Sequence, residues 1–560
     1  MISREQGVGF FEIDWQDTAI SLPQHSGSFE HLLQKGEADK SKRLQVKNLF
    51  RRFPLAVFKG KQASRERGAG ILLHITSIPS AYGVGDLGNG ATAIADFLHR
   101  SGQKYWQLLP LNPTEAGQGY SPYSALSSKA GWPLLISLET LAKEGLLSAE
   151  DLKEGELANE SRVNYPAVEK TKLQLLSKAF DAFIQSENAH QPFELFCEKE
   201  KSWLDDFALF QFIKTKHNGQ PWYEWPDEFK QRNEETLETV VSENDVEIQR
   251  IKWYQYVFAK QWASLKTYCN NRSIKLIGDM PFYVSYDSAD VWAAQHLFSL
   301  NENGERTGIA GVPPDAFSAD GQLWGMPTFN WEKMREEGYI WWIQRLRKNI
   351  ELFDLTRLDH FRAFAAYWEV PADETTAKNG RWVTGPGSDF FKVIQKEFGD
   401  LPFVAEDLGD INEDVLNLRD EFNLAGMKVL QFAFGEDLPQ NAYIPHNYEK
   451  NFVVYTGTHD NNTTIGWWRK ETDQPGKKRV ENYIGAEVHE GNIHQALIRL
   501  AYASVANIAI VPIQDVLGLD ELARMNVPSS GENNWAWRLT PNQLNAGIEK
   551  YLQDLTRTYN

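Results

Sequence analysis

From residue 70 onward the chain carries eight short apolar runs, each bounded by polar, charged or turn residues: 71–74, 105–110, 275–279, 355–359, 403–407, 428–432, 453–457 and 508–512. Runs this short, with turn residues on either side, read as strands buried on both faces of a parallel sheet. Parallel neighbours need crossover connections. Amphipathic helical stretches fill several of the gaps, including 91–99 and 341–352. Eight such strands with intervening helices predict an α/β fold, a (β/α)8 TIM barrel. An open doubly wound sheet is the structural alternative.

The uneven gaps predict where the barrel is interrupted. Residues 66–136 carry its first part and residues 251–560 the remainder. Between them, 137–250 is rich in Leu, Glu and Lys with helical periodicity (Leu173, Leu175, Leu176, Phe180, Phe183) and reads as an inserted helical subdomain. A second insertion, 285–332, is rich in Gly, Pro, Asp and Trp, and loops of that size are usually functional. The tail after Pro512 is too short for a C-terminal β-sandwich domain. Residues 1–65 include a basic stretch from Lys40 to Arg52 and read as an N-terminal extension, solvated or interacting rather than a nucleic-acid arm.

Lys and Arg number 58 against 76 Asp and Glu, a net charge of −18, which argues against nucleic acid or an anionic membrane as partner. Two cysteines, Cys197 and Cys269, do not make a disulfide scaffold. No apolar run spans a bilayer and residues 1–17 lack an apolar leader core, so the expectation is a soluble cytoplasmic protein. The 12 His form no H-E-x-x-H motif, and no metal or cofactor is expected. The segment Gly83-Val84-Gly85-Asp86-Leu87-Gly88 matches G-x-G-x-x-G, yet Asp86 would repel a phosphate and no strand ending in an acid follows at the required distance. It reads as a glycine turn. The 19 Trp, 20 Tyr and 31 Phe serve mainly packing, but such rings also suit a ligand that is half apolar and half hydroxyl.

The acids at strand ends carry the chemical signal. Asp279 ends the third run, Asp359 the fourth, Glu406 falls in the fifth, and Asp460 lies just past the seventh. Strand ends face the mouth of such a barrel, where converging acids repel unless compensated. Arg357 sits two residues before Asp359 and hence on the same strand face; His360, Arg362 and His459 lie adjacent. Two carboxylates flanking a bond are the equipment of glycoside chemistry. Asp359, beside Arg357, fits the ionised nucleophile; Glu406, after Phe403-Val404-Ala405, fits the proton donor.

The chain resembles the amylomaltase (4-α-glucanotransferase, disproportionating enzyme) family of the α-amylase clan from about residue 68 to residue 538. The resemblance rests on an ordered series of motifs. It includes Gly70-Ile71-Leu72-Leu73-His74, Ser121-Pro122-Tyr123-Ser124, Gly278-Asp279-Met280-Pro281 and Gly311-Val312-Pro313-Pro314-Asp315. It continues through Arg357-Leu358-Asp359-His360-Phe361-Arg362, Ala405-Glu406-Asp407-Leu408-Gly409, Thr458-His459-Asp460-Asn461 and Arg524-Met525-Asn526.

The resemblance implies a retaining transfer of α-1,4-glucan segments, with maltooligosaccharides and other α-1,4-glucans as partners. Asp359 then matches the nucleophile, Glu406 the general acid/base and Asp460 the transition-state stabiliser. Arg357, His360, His459 and Asp279 match residues around the same sugar. Ser121, Tyr123, Asp315, Gln322, Trp324 and Asn534 match loop residues on neighbouring glucose units. Ala316, Trp132, Ser529 and Ser530 depart from the usual pattern. A plain α-glucan hydrolase and a glucan-binding scaffold are the rival readings.

Overall fold

In the computed structural model each apolar run contributes one strand: β1 (Gly68–Leu72), β2 (Tyr105–Gln107), β3 (Lys275–Met280), β4 (Leu355–Leu358), β5 (Phe403–Ala405), β6 (Gly426–Val429), β7 (Phe452–Tyr455) and β8 (Ile508–Pro512). The structure describes residues 67–186, 190–314, 318–528, 530 and 533–560, with residues 15, 18–21, 26–31, 43–46 and 58–62 before them. The N-terminal extension expected over 1–65 therefore lies largely outside the described residues. Residues 1–67 with 394–401 form one compact unit and the rest of the chain another. The first contains two antiparallel strand pairs, Ala19–Ser21 with Arg43–Gln45 and Ser26–His31 with Phe58–Gln62.

In the second unit these eight strands form one sheet in which all are parallel to their neighbours, in the order β5-β4-β3-β2-β1-β8-β7-β6. The two outer strands meet through a parallel bridge between Val404 and Ala425, where Ala405 N–H donates to the Ala425 carbonyl at 2.7 Å. That bond turns the sheet into a barrel and removes its free edges. The doubly wound alternative is thereby excluded. The strands read as continuous apolar runs because both faces are covered, and β1, β2, β5, β7 and β8 are buried throughout. Two boundaries differ from the sequence reading. β1 begins three residues before Ile71, and the run 428–432 supplies only the end of β6 before turning into a 3-10 helix, Leu430–Phe432.

Helix α1 (Asn89–Arg100) follows β1 and buries Ala91, Ile94, Ala95, Phe97 and Leu98, one face of a 3.6-residue period. Between β2 and β3 the long helices are α2 (Tyr165–Ile184), α3 (His190–Lys216) and α4 (Asp245–Asn270). On α2 the buried stripe is Val168, Lys172, Leu175, Leu176, Ala179, Phe180 and Phe183, which leaves Leu173 42% exposed on the opposite side. Amide side chains dock α4 onto the loop after β2. Gln255 bonds both the N–H and the carbonyl of Gly131, and Gln261 does the same at Ser137, at 2.7–3.1 Å. Helix α5 (Ile340–Leu352) precedes β4, and α6 (Ala546–Tyr559) closes the chain against α1 through an Arg100–Glu549 ion pair of 2.9 Å. No strand follows Pro512 among the described residues.

The Gly- and Trp-rich stretch within 285–332 contains two strands, Gly308–Val312 and Gln322–Pro327. They join Ala366–Pro371 and Arg381–Thr384, from beyond β4, in a four-stranded antiparallel sheet. The sequence pattern did not reveal this partnership, because strands this short and irregular lack a clean period-two alternation.

The G-x-G-x-x-G segment is a turn. Asp86 accepts from the N–H of Gly88 at 3.0 Å and faces the buried Lys172 ammonium at 3.4 Å, filling the space in front of α1 with a carboxylate. Gly85 is required by closeness, since a Cβ there would stand 1.8 Å from the Ile75 carbonyl.

Gly278 within β3 faces the Phe353 ring, and an added Cβ would sit 2.1 Å from it. Gly278→Ala is expected to destabilise the protein by about 1–3 kcal/mol through overpacking. Thermal unfolding checks this; a melting temperature equal to the parent's would contradict it.

Candidate active site

The strand ladder itself brings the acids together. Arg357 on β4 pairs in register with Asp279 on β3, so both side chains point to the same face. The ladder continues one step past the strand ends. Asp359 N–H donates to the Met280 carbonyl and Glu406 N–H to the Leu358 carbonyl, each at 3.0 Å. Asp359 and Glu406 thus leave adjacent strands at the same level of the rim. The chain then turns sharply at His360, whose φ of +49° lies in the left-handed region. This turn aims the His360 N–H at Glu406 Oε2, 2.8 Å away.

Arg357 is the common cation of the site. Its Nη1 donates to both oxygens of Asp279 at 2.7–2.8 Å, and its Nη2 lies 2.9 Å from Asp359 Oδ1. The Asp279 side chain is wholly buried, and its Oδ2 also accepts from the Tyr123 hydroxyl at 2.8 Å. Asp359 and Asp460 keep 27% and 42% of their side chains exposed, so a ligand can reach both. Asp460 is gripped by polar groups: His459 Nε2 lies 3.1 Å from Oδ2 and Asn526 Nδ2 donates to Oδ1 at 2.6 Å.

These surroundings separate the three acids. Burial pushes Glu406 up to about 8, with Asp359 and Asp407 adding to the rise and Arg357 opposing it. Burial also raises Asp359, but the pull of Arg357 leaves it at about 6. Burial would raise Asp460 too; there His459, Asn526 and Arg357 together outweigh it and hold the carboxyl well below its usual range. At neutral pH, of these three, Glu406 is therefore the neutral carboxylic acid and Asp359 and Asp460 are carboxylates. His360 is kept a neutral imidazole by burial, assisted by Arg362, with its value lowered to about 3.

The loop residues expected around the ligand divide into groups. Tyr123 stacks on His459 with ring centroids 5.2 Å apart, so it belongs to the same cluster as the acids. Trp324 packs edge-on against His360 at 4.9 Å, and its indole N–H donates to Gln322 Oε1 at 3.2 Å, which places both at the rim. Ser121 Oγ accepts from the Tyr123 N–H at 3.3 Å and shapes that turn. The polar atoms of Asn534 are engaged with backbone: its Oδ1 accepts from Val527 N–H, and its Nδ2 donates to the Val527 and Ser530 carbonyls. Asp315, with the divergent Ala316 and Ser529, lies outside the described residues. Among the described residues no group of three or more His, Cys, Asp or Glu is arranged to hold a metal ion.

Sequence reasoning passed over several supporting residues. Asp515, just past β8, is a fully buried carboxylate satisfied by the Thr456 hydroxyl, the Thr464 hydroxyl and the Thr464 N–H at 2.6–2.7 Å, and so ties the end of β7 to β8. Tyr455 on β7 donates to Gln107 Oε1 of β2 across the barrel at 2.8 Å. Asp515 had a usable signal, an acid at a strand end. Tyr455 and Gln107 had none, since their contact spans the barrel.

A barrel whose rim carries paired acids in unequal protonation states is the architecture of enzymes that act on glycosidic bonds. Residues 73–544 match the sequence model of the 4-alpha-glucanotransferase family, and the chain belongs to that family. It is 46% identical over 499 residues to the 4-alpha-glucanotransferase of Synechocystis sp., covering 88% of this chain and 98% of that one. It is 45% identical over 486 residues to that of Thermus thermophilus, covering 85% and 96%. Among solved structures, the amylomaltase of Streptococcus agalactiae in complex with acarbose superposes with a TM-score of 0.85 at 37% identity, covering 88% of this chain and 99% of that one. No helix among the described residues is long and apolar enough to cross a membrane.

Proposed function

We propose that this chain is a 4-α-glucanotransferase that moves a segment of a 1,4-α-D-glucan to the 4-hydroxyl of an acceptor glucose or glucan, with retention at C1. The observation that carries the reading is the division of labour among the three acids on one rim. In the first step an Asp359 oxygen attacks C1 of a donor glucose unit while the bond from C1 to the departing 4-oxygen breaks. Glu406 gives its proton to that oxygen. Positive charge on the ring is stabilised by the Asp359 and Asp460 carboxylates. In the second step Glu406, now a carboxylate, takes the proton of an acceptor 4-hydroxyl. The acceptor oxygen bonds to C1 and Asp359 is released.

Arg357 keeps Asp359 ionised and oriented. His360, His459 and Tyr123 hold the hydroxyls of the reacting sugar, with the wholly buried Asp279 acting behind them through Arg357 and the Tyr123 hydroxyl. Ser121, Asp315, Gln322, Trp324 and Asn534 serve neighbouring glucose units. The partners in this reading are maltooligosaccharides and other α-1,4-glucans. The compartment is the cytoplasm, in keeping with two free cysteines, Cys197 and Cys269. Residues 137–250 act as an inserted helical subdomain of the barrel.

Incubation with maltotriose alone tests the reading. Glucose together with longer maltooligosaccharides is expected; shorter sugars alone would mean hydrolysis, and no change would mean binding. Asp359→Asn is expected to abolish turnover in the same assay, and substantial residual transfer would refute the nucleophile assignment.

The two shifted acids set a pH dependence. Asp359 works as the carboxylate, so activity is gained as pH rises through about 6. Glu406 works protonated in the first step, so activity is lost as pH rises through about 8. A bell-shaped profile of kcat/KM with a neutral optimum is expected. A profile flat between about pH 5 and 9 would contradict this assignment of the two acids.

Transfer must outrun attack by water, and a partly dry acceptor subsite achieves that. Trp324, against His360, is placed in this reading as its wall. Trp324→Ala is expected to raise glucose released by hydrolysis relative to transfer products. An unchanged ratio on chromatographic analysis of the products would count against that role.

A further inference from the structure

The segment from Arg524 to Trp535 reaches the rim from beyond β8 and touches Asp460 and His459 at several points. The Asn526 amide donates to Asp460 Oδ1 at 2.6 Å, on the carboxylate oxygen that His459 leaves free. Arg524 fixes the backbone on either side of that contact, donating through Nη2 to the Asp460 carbonyl at 2.6 Å and through Nε to the Asn526 carbonyl at 2.7 Å. The Asn526 N–H donates to the His459 carbonyl at 3.2 Å. The far end of the segment returns through a bond from Trp535 N–H to the Met525 carbonyl at 2.8 Å. Asn534 clamps the turn between through Val527 and Ser530.

Trp535 adopts a φ of +61°, a strained conformation for an aromatic residue, and its ring lies against Tyr123 at 5.7 Å and His459 at 5.9 Å. Asp460 keeps 42% of its side chain exposed, so the segment does not serve to bury it. What it supplies is direction. A carboxylate on an open rim can rotate, and a hydrogen bond to each oxygen stops it.

We infer that Asn526, held in place by Arg524, is a positioning residue that locks the Asp460 carboxylate in the orientation needed by the reacting sugar. This rests on the reading of Asp460 as the stabiliser of charge in the transition state. A group that acts mainly at that stage contributes to kcat more than to ground-state binding. Arg524 cannot be replaced by Lys without loss, because a single ammonium does not reproduce two parallel bonds in a fixed plane.

The test compares Asn526→Ala, the near-isosteric Asn526→Leu, Arg524→Lys and Asp460→Asn in the full chain, with maltotriose as substrate and melting temperature as the fold control. Asn526→Leu keeps the volume but has no donor, so it separates donation from packing. Loss of one charge-assisted hydrogen bond corresponds to a fall in kcat of about ten- to a hundred-fold. That fall is expected for both Asn526 variants, with a smaller one for Arg524→Lys, a KM changed by less than about two-fold, and melting temperatures close to the parent's. Parent-like kcat in Asn526→Leu with an inactive Asp460→Asn overturns the inference and leaves the reading of Asp460 standing. Parent-like kcat in Asp460→Asn overturns both. A rise in KM without a fall in kcat, or a fall in kcat that tracks lost melting temperature, also overturns the inference.

Discussion

Everything at the mouth of this barrel depends on one guanidinium. Arg357 lies inside a ring of acids, with Asp279 at 2.7 Å on one side and Asp359 at 2.9 Å on the other. Two like charges about 4 Å apart repel by about 4 kcal/mol at the effective dielectric of a protein rim, enough to neutralise one of them. A planar cation with a fork on each edge offsets that repulsion for two carboxylates at once, which an ammonium could not do with the same geometry. Asp279, wholly buried, is the structural partner, and Asp359, part-exposed, is the one left able to react. The same cation acts on both, and their difference lies in what else surrounds them.

The contrast between Glu406 and Asp460 follows from the same logic. Both stand on the rim, and burial acts on both in the same direction. Glu406 gains one backbone donor, from His360, and faces Asp359 and Asp407. Asp460 gains His459 and Asn526 as donors. The balance of donors and like charges, more than depth, decides which carboxyl keeps its proton. That balance is set by loops, whereas the positions of the acids are set by strands. A barrel rim can therefore hold several acids at constant spacing while its loops assign them different chemistry.

The surrounding elements are built to keep those loops still. Asp515 ties β7 to β8 below the 458–462 segment, and Asn534 closes the turn that carries Asn526. The four-stranded sheet brings Trp324 to the His360 ring. These supports come from parts of the chain far from the acids they serve. Asp460 and Asn526 are 66 residues apart in sequence, and Trp324 and His360 belong to separate crossovers.

The barrel was legible because its signal is local. An apolar run between turn residues marks a buried strand wherever it occurs, and an acid at its end faces the rim by strand alternation alone. Asp279, Asp359, Glu406 and Asp460, and the pairing of Arg357 with Asp359, follow from spacing of this kind. The glycine segment 83–88 was also legible, because Asp86 argues against phosphate wherever the turn lies. What the tertiary structure alone decided are contacts across elements: Arg357 with Asp279, Tyr123 on His459, Asn526 on Asp460, Asp515 under β7, and the sheet joining 308–327 to 366–384. Register between parallel strands is set by closure of the whole barrel, and a hydrogen bond between distant residues leaves no period in the sequence. The chain by itself determined which residues stand at the rim and pointed to Glu406 as the proton donor; the three-dimensional packing determined the contacts that hold each acid in its state.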